Sequence, residues 1–145
     1  MYRNVLAATD GSDLGTAAVN HAASIARAFN ASLTIVTVAV QVPVFDGIEP
    51  GGAIPQSVFN DLRRAAVDQC SATLKKAAET AGPGARTEMI ESTSAYAGIL
   101  ELAKKIGADL IVMGSHSRTP LGRLILGSQA AKVVSLSDVP VLIVK

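Results

Sequence analysis

The sequence predicts an α/β protein in which a doubly wound, five-stranded parallel sheet carries helices on both faces. Short β-branched, apolar runs alternate with longer segments of helical periodicity, in the order β-α-β-α-β-α-β-α-β. Two of the runs are apolar nearly throughout, which is typical of strands covered on both faces. The 145 residues are 49% hydrophobic, which is enough for a buried core. We therefore expect one domain spanning residues 1–145.

The strands are predicted from apolar runs bounded by Gly, Pro and polar residues. They lie near Asn4–Thr9, Leu33–Ala39, Arg86–Glu91, Leu110–Gly114 and Val141–Val144. The third alternates apolar and polar residues, so we expect it nearer an edge of the sheet.

Helices are predicted between these strands from apolar residues spaced on one face. They span about Ser12–Phe29, Pro55–Ala81, Ser94–Ile106 and Ser128–Ser137. His21 falls inside the first helix, where a packed or capping histidine is expected. Cys70 falls inside the second and is predicted to be a buried thiol.

Composition excludes several classes of function. The net charge is +1, so no strong field steers the protein to nucleic acid or to an anionic membrane. Aromatic residues are 3% and tryptophan is absent, which argues against base-stacking platforms. The chain shows neither a signal-peptide pattern nor a membrane-spanning apolar run, and its one cysteine suits a reducing compartment. We expect a cytoplasmic location, with no nucleic-acid or membrane partner.

The candidate site lies where two strands end in polar residues. The first strand runs into Thr9-Asp10-Gly11-Ser12, and the fourth runs into Met113-Gly114-Ser115-His116-Ser117-Arg118. Ligands of doubly wound sheets bind beyond the carboxyl ends of the strands. Asp10 could accept hydrogen bonds from a ribose or a base. Asp10 or Ser12 could equally cap the following helix, and both roles are open.

Glycines mark the possible anion-binding part of this site. Gly114 and Gly127 would let backbone amides approach an anion, and Gly127-Ser128 opens the last helix, where the dipole favours phosphate. Two ordinary glycine turns are the alternative. The Walker and dinucleotide-binding glycine motifs are missing, as are zinc-ligand spacings. No Ser–His–Asp set or carboxylate pair can be specified, so no catalytic residue is predicted.

Four segments of the chain resemble the universal stress protein family. They are "VLAATDGS", "ADLIVMGSHSR", "RLILGSQAAKVV" and "VPVLIVK", in that order, and residues 41–57 are the least similar part. The resemblance implies an adenine-nucleotide alpha-hydrolase-like fold with strand order 3-2-1-4-5. It places the switch point between the first and fourth strands, where both polar segments lie.

The resemblance also implies a set of site residues. In ATP-binding members the motif is Gly, two residues, Gly, nine residues, then Gly with Ser or Thr. Here Gly114, Ser117, Gly127 and Ser128 occupy it, so a serine replaces the second glycine. The implied ligand is ATP, alone or with Mg²⁺. Asp10 and the backbone at Val38 would face its adenosine. The ribose and phosphates would meet Met113, Gly114, His116, Ser117, Gly127, Ser128 and Gln129.

Alternative functions stay open at this point. One is a dimeric stress-response sensor or regulator that binds ATP or a related adenine nucleotide. Another is a family member that binds no ATP and acts through dimer and partner surfaces. An enzyme is the third, and we expect at most slow ATP hydrolysis. In each case a homodimer through the apolar last strand is expected, because exposed apolar edges are usually covered.

Overall fold

The computed structural model describes residues 1–41, 55–115 and 126–145. These ranges form alternating strands and helices: β1 (Asn4–Ala8), α1 (Asp13–Phe29), β2 (Ser32–Val40), α2 (Gln56–Ala81), β3 (Arg86–Ser92), α3 (Ala95–Ile106), β4 (Leu110–Gly114), α4 (Ser128–Leu136) and β5 (Val141–Val144). The five strands pair in parallel in the order β3-β2-β1-β4-β5. The predicted fold class and strand order are confirmed, and every predicted boundary lies within one residue of the observed one.

The central strand β1 is apolar at every position after Asn4 because both of its faces are covered. Leu6 pairs with Thr34 of β2 on one side and with Ile111 of β4 on the other. Successive side chains point to opposite faces, so Val5 enters one core and Leu6 the other. A strand covered on both faces cannot alternate apolar with polar residues.

The helices divide between the two faces of the sheet. The core on one face contains α1 and α2, with Val19 and Leu74 among its buried side chains. The core on the other face contains α3 and α4, through residues such as Leu102 and Val133. The doubly wound arrangement is therefore confirmed. Among the described helices, none is both long enough and apolar enough to cross a membrane.

Two expectations for individual helix residues had opposite outcomes. Cys70 is buried, as predicted. His21 is exposed and lies in the interior of α1, whose caps are Ser12 and Asn30, so its predicted packed or capping role is wrong. The buried arc of α1 is formed by positions such as Ala18, Val19 and Ala22, and His21 falls outside that arc. The alanine-rich sequence around His21 correctly predicted that this residue lies in a helix, but it did not show which face of the helix the residue is on.

The two edge strands differ in charge. The edge strand β3 carries Arg86, Glu88 and Glu91, and the Arg63 guanidinium of α2 donates two hydrogen bonds of 2.9 Å to the Glu91 carboxylate. These hydrogen bonds are the main reason that the pKa of Glu91 is lowered, with a further bond from Gln41. The opposite edge strand, β5, contains no charged residue. The charged residues of β3 oppose pairing with a further strand at that edge, whereas β5 has no such protection.

Candidate ligand site

The turn between β1 and α1 is organised by Asp10 and Ser12. The Ser12 hydroxyl oxygen accepts a hydrogen bond of 3.1 Å from the Gly15 amide and so caps α1. Asp10 Oδ1 accepts hydrogen bonds from the Ser12 amide, at 3.0 Å, and from the Ser12 hydroxyl. Ser12 is therefore the N-cap of α1, and its hydrogen bonds to Asp10 hold it in place. Asp10 also lines a cavity, so the structural role does not displace a role at the site.

Two glycines let α1 approach the ends of β1 and β4. A β-carbon at Gly15 would lie 2.6 Å from Thr9 Oγ1 and 2.9 Å from Asp10 Oδ1. At Gly114 it would lie 3.0 Å from Leu14 Cβ. Gly114 also lines the cavity. Its missing side chain thus has a packing reason that the interpretation as an anion-binding glycine did not anticipate.

The start of α4 provides backbone donors at the same edge of the sheet. The Gly127 amide donates to the Ser115 carbonyl at 2.7 Å, so this amide is already engaged. No side chain of the described residues caps α4. The first-turn amides of Ser128, Gln129 and Ala130 precede the first intrahelical donor, Ala131, whose amide bonds to Gly127 O. An anion at this helix start would therefore be held by these amides rather than by that of Gly127.

A cavity of about 160 Å³ lies beyond the carboxyl ends of β1, β2 and β4. Its walls are mainly apolar, and its polar groups gather toward the β1–α1 turn and the start of α4. The lining residues are Ala8, Thr9, Asp10, Gly15, Val36, Thr37, Val38, Ala95, Ile99, Met113, Gly114, Gly127, Ser128, Gln129 and Ala130. The Thr37 hydroxyl donates to the Thr9 carbonyl at 2.8 Å and ties the ends of β1 and β2 together.

Close packing of α3 on β2 forms one wall of this cavity. A β-carbon at Gly98 would lie 3.1 Å from both γ-carbons of Val38 and 3.2 Å from Ile90 Cγ2. The absence of a side chain at Gly98 brings α3 down onto the sheet and puts Ala95 and Ile99 beside Val38. Sequence reasoning missed these three residues of α3. Their only signal was an ordinary apolar helix face.

The structure brings together seven of the nine residues predicted for the site. Those in the cavity lining are Asp10, Val38, Met113, Gly114, Gly127, Ser128 and Gln129. His116 and Ser117 lie outside the described residues, and their roles stay predictions. In the described ranges, no group of three or more His, Cys, Asp or Glu side chains is placed to hold a metal ion.

The geometry defines a class of protein. Strand order reverses between β1 and β4, and the cavity lies at the carboxyl ends of these strands. This is the switch-point position at which doubly wound α/β proteins bind their ligands. The molecule is a doubly wound α/β protein with a cleft at its switch point.

Comparison with known proteins identifies the family. The model of the universal stress protein family matches residues 1–145. A universal stress protein of Methanocaldococcus jannaschii is 37% identical over 145 residues, which are all of this chain and 83% of that protein. Universal stress protein YxiE of Bacillus subtilis is 33% identical over 148 residues, covering all of both chains. The chain belongs to the universal stress protein family.

A solved structure agrees with this assignment. The crystal structure of a universal stress protein in complex with cAMP has 31% sequence identity and a TM-score of 0.71. The match covers 99% of this chain and 97% of that one. The resemblance found in the four sequence segments is therefore confirmed over the whole chain.

Proposed function

We propose that this protein binds an adenine nucleotide, ATP or a related molecule, in the switch-point cavity and serves as a dimeric cytoplasmic sensor or regulator. The observation that carries the proposal is the arrangement of the cavity. Its apolar walls lead to a helix start that no described side chain caps. This combination suits a ligand with a flat apolar part and an anionic part. We propose binding rather than catalysis, with at most slow hydrolysis.

The apolar walls suit the base and the sugar. Val38, Ala95 and Ile99 contribute aliphatic surface to the lining of the cavity. Burial of a heteroaromatic base against such surface is favourable by roughly 25 cal/mol per Å² of apolar area. Asp10 lies at the polar side of the cavity, where its carboxylate can accept hydrogen bonds from ribose hydroxyls or from an exocyclic amine.

The start of α4 suits a phosphate. The amides of Ser128, Gln129 and Ala130 and the positive end of the helix dipole favour an anion there. None of the described lining residues is cationic, and Asp10 contributes a negative charge. The phosphate is therefore expected at the α4 end, away from Asp10. Mg²⁺ would arrive with the phosphates of ATP, since this ion commonly binds through substrate phosphates and few carboxylates.

Kinship supports the same ligand class. The 31% identical universal stress protein was solved in complex with cAMP, an adenine nucleotide. Its chain aligns with 99% of this one, so the segments that form the cavity have counterparts in it.

Dimer formation is proposed through β5. The strand has no charged residue, lies at an edge of the described sheet, and leaves Leu142 37% exposed. Leu136, on the helix before it, is 58% exposed. An uncharged apolar edge favours pairing with a second copy.

The second candidate is a family member that binds no ATP and works through its dimer and partner surfaces. Two observations favour it. Ser117 replaces the second glycine of the ATP motif, and the described lining lacks a cation to match a triphosphate.

Calorimetric titration of the purified chain separates these candidates. ATP, AMP and cAMP would be titrated with and without Mg²⁺, GTP would test base selectivity, and any co-purified nucleotide would be identified. We expect at least one adenine nucleotide to bind at one site per chain with a Kd below about 1 mM. If no adenine nucleotide binds at millimolar concentration, the nucleotide proposal is wrong and the second candidate takes its place.

A further inference from the structure

The start of α3 is held by a residue from α4. The N-cap residue of α3 is Ser94, whose side chain makes no capping hydrogen bond. The Tyr96 amide, in the first turn of α3, donates instead to Gln129 Oε1 at 3.0 Å. A residue 33 positions later in the chain therefore satisfies a backbone donor that a local cap normally satisfies.

A second contact joins the same two helix starts. The Lys132 ammonium of α4 lies 4.7 Å from the centroid of the Tyr96 ring, within the range of a cation–π interaction. Gln129 and Lys132 are three residues apart, so they project from the same side of α4. Tyr96 is thus contacted at its backbone by one residue and at its ring by the other. We call Tyr96, Gln129 and Lys132 the helix clamp.

The helix clamp spans two walls of the cavity. Ala95 and Ile99 of α3 line one wall, and Ser128, Gln129 and Ala130 of α4 line another. The separation of these walls depends on how the start of α3 sits against the start of α4. The same turn of α4 carries the backbone donors available to an anion.

We infer that Gln129 is a positioning residue, whose side-chain oxygen sets the spacing of the cavity walls and orders the α4 turn before ligand binds. This inference rests on the proposed nucleotide function and adds a coupling between the ligand site and α3. A side-chain contact between Gln129 and the ligand is the competing explanation, because Gln129 also lines the cavity.

Two substitutions at Gln129 separate these explanations. Gln129→Met keeps the length of the side chain and removes the acceptor. Gln129→Glu keeps an oxygen acceptor for the Tyr96 amide, and a carboxylate is favourable in the first turn of a helix. Adenosine is the probe, since it carries no phosphate for the new carboxylate to repel. The measurements are adenosine affinity by calorimetry and hydrogen exchange of the Tyr96 amide in the free protein.

The expected results follow from the loss of one hydrogen bond. In Gln129→Met, Tyr96 exchange should accelerate and adenosine affinity should fall, each by about threefold to tenfold. In Gln129→Glu, both should return to within about twofold of wild type. Lys132→Met, which changes no residue of the cavity lining, should weaken adenosine binding in the same direction because it loosens the same clamp.

Other results overturn the inference. Unchanged adenosine affinity in Gln129→Met would show that the helix clamp does not set the spacing of the cavity walls, and the inference would be wrong. If Gln129→Glu restored Tyr96 protection but not adenosine affinity, the carboxamide would contact the ligand itself. Failure of the wild type to bind either adenosine or AMP would instead remove the proposed function, and the coupling with it. The wild-type titration thus tests the function, and the comparison of variants tests the clamp.

Discussion

Gly15 and Thr9 approach so closely that a β-carbon at Gly15 would lie 2.6 Å from the Thr9 hydroxyl oxygen. Gly15 is buried in the first turn of α1, and Thr9 follows the central strand. This contact sets how deeply α1 enters the carboxyl edge of the sheet. The turn that carries Asp10 is held between them.

Gly15→Ala tests the importance of this contact. An alanine in a helix interior is normally favoured by about 1 kcal/mol over glycine. Here we expect a net destabilisation of about 1–3 kcal/mol, because the added carbon has to displace Thr9 and Asp10. Denaturant unfolding provides the measurement. Asn20→Ala, at an exposed position of α1, is the control and should be neutral or slightly stabilising. A Gly15→Ala protein as stable as wild type would contradict the packing argument.

Gly98 and Val38 form an analogous pair at the cavity wall. A β-carbon at Gly98 would lie 3.1 Å from both γ-carbons of Val38. We expect Gly98→Ala to cost about 1 kcal/mol or more in wild type and less in a Val38→Ala background, where space has been made. Unfolding free energies of the two single variants and the double variant measure this coupling. Equal costs in both backgrounds would show that the steric contact is unimportant.

The sequence was sufficient to predict the elements and their order because their signals are local. Element boundaries are marked by features a few residues long. These are the continuous apolar run of β2, the Ser12 cap of α1, and Gly82 and Gly107, which follow α2 and α3. The resemblance in four segments then supplied the strand order and seven residues that the cavity brings together. Val38, which local pattern shows only as a strand residue, entered the site in this way.

Contacts between distant segments could not be predicted in the same way. In the sequence, Gly98 is an ordinary helix residue, and its importance is evident only from the packing of α3 on Val38. The acceptor role of Gln129 depends on Tyr96, which is 33 residues away. Gly127 was expected to let backbone amides approach an anion, and the sequence did not indicate that its own amide bonds to the Ser115 carbonyl. Each of these contacts depends on how the helices pack in three dimensions. A sequence pattern indicates only which face of a helix is apolar.

The β5 edge provides a test of assembly. We expect Leu142→Lys to shift a homodimer toward monomer, because a charge on an edge strand opposes pairing. Light scattering at micromolar concentration should give twice the 14.9 kDa chain mass for wild type and a lower mass for the variant. Thr87→Lys, at an exposed position of the opposite edge strand, is the control and should remain dimeric. A monomeric wild type would refute the β5 dimer.

Ser117 decides how the departure from the ATP motif is interpreted. This residue lies outside the described part of the chain, so the expectation rests on the sequence. Ser117→Gly should leave ATP affinity unchanged or increase it, since glycine has no side chain to crowd a phosphate and would avoid the cost of about 1 kcal/mol that a left-handed backbone would impose on serine. The comparison is calorimetric, with wild type as reference. Weakening by more than about tenfold, or 1.4 kcal/mol, would make the hydroxyl a ligand contact instead.

The central claim is that an adenine nucleotide occupies the switch-point cavity, and filling that cavity tests it most directly. Ala95 lines the cavity, whereas Ala97 on the same helix does not. Whichever of ATP, AMP and cAMP binds wild type most tightly would be titrated calorimetrically into wild type, Ala95→Leu and Ala97→Leu. We expect wild type and Ala97→Leu to bind one nucleotide per chain with affinities within about twofold, and Ala95→Leu to bind at least about tenfold more weakly. If Ala95→Leu binds that nucleotide as tightly as wild type, the nucleotide lies elsewhere and the claim is wrong.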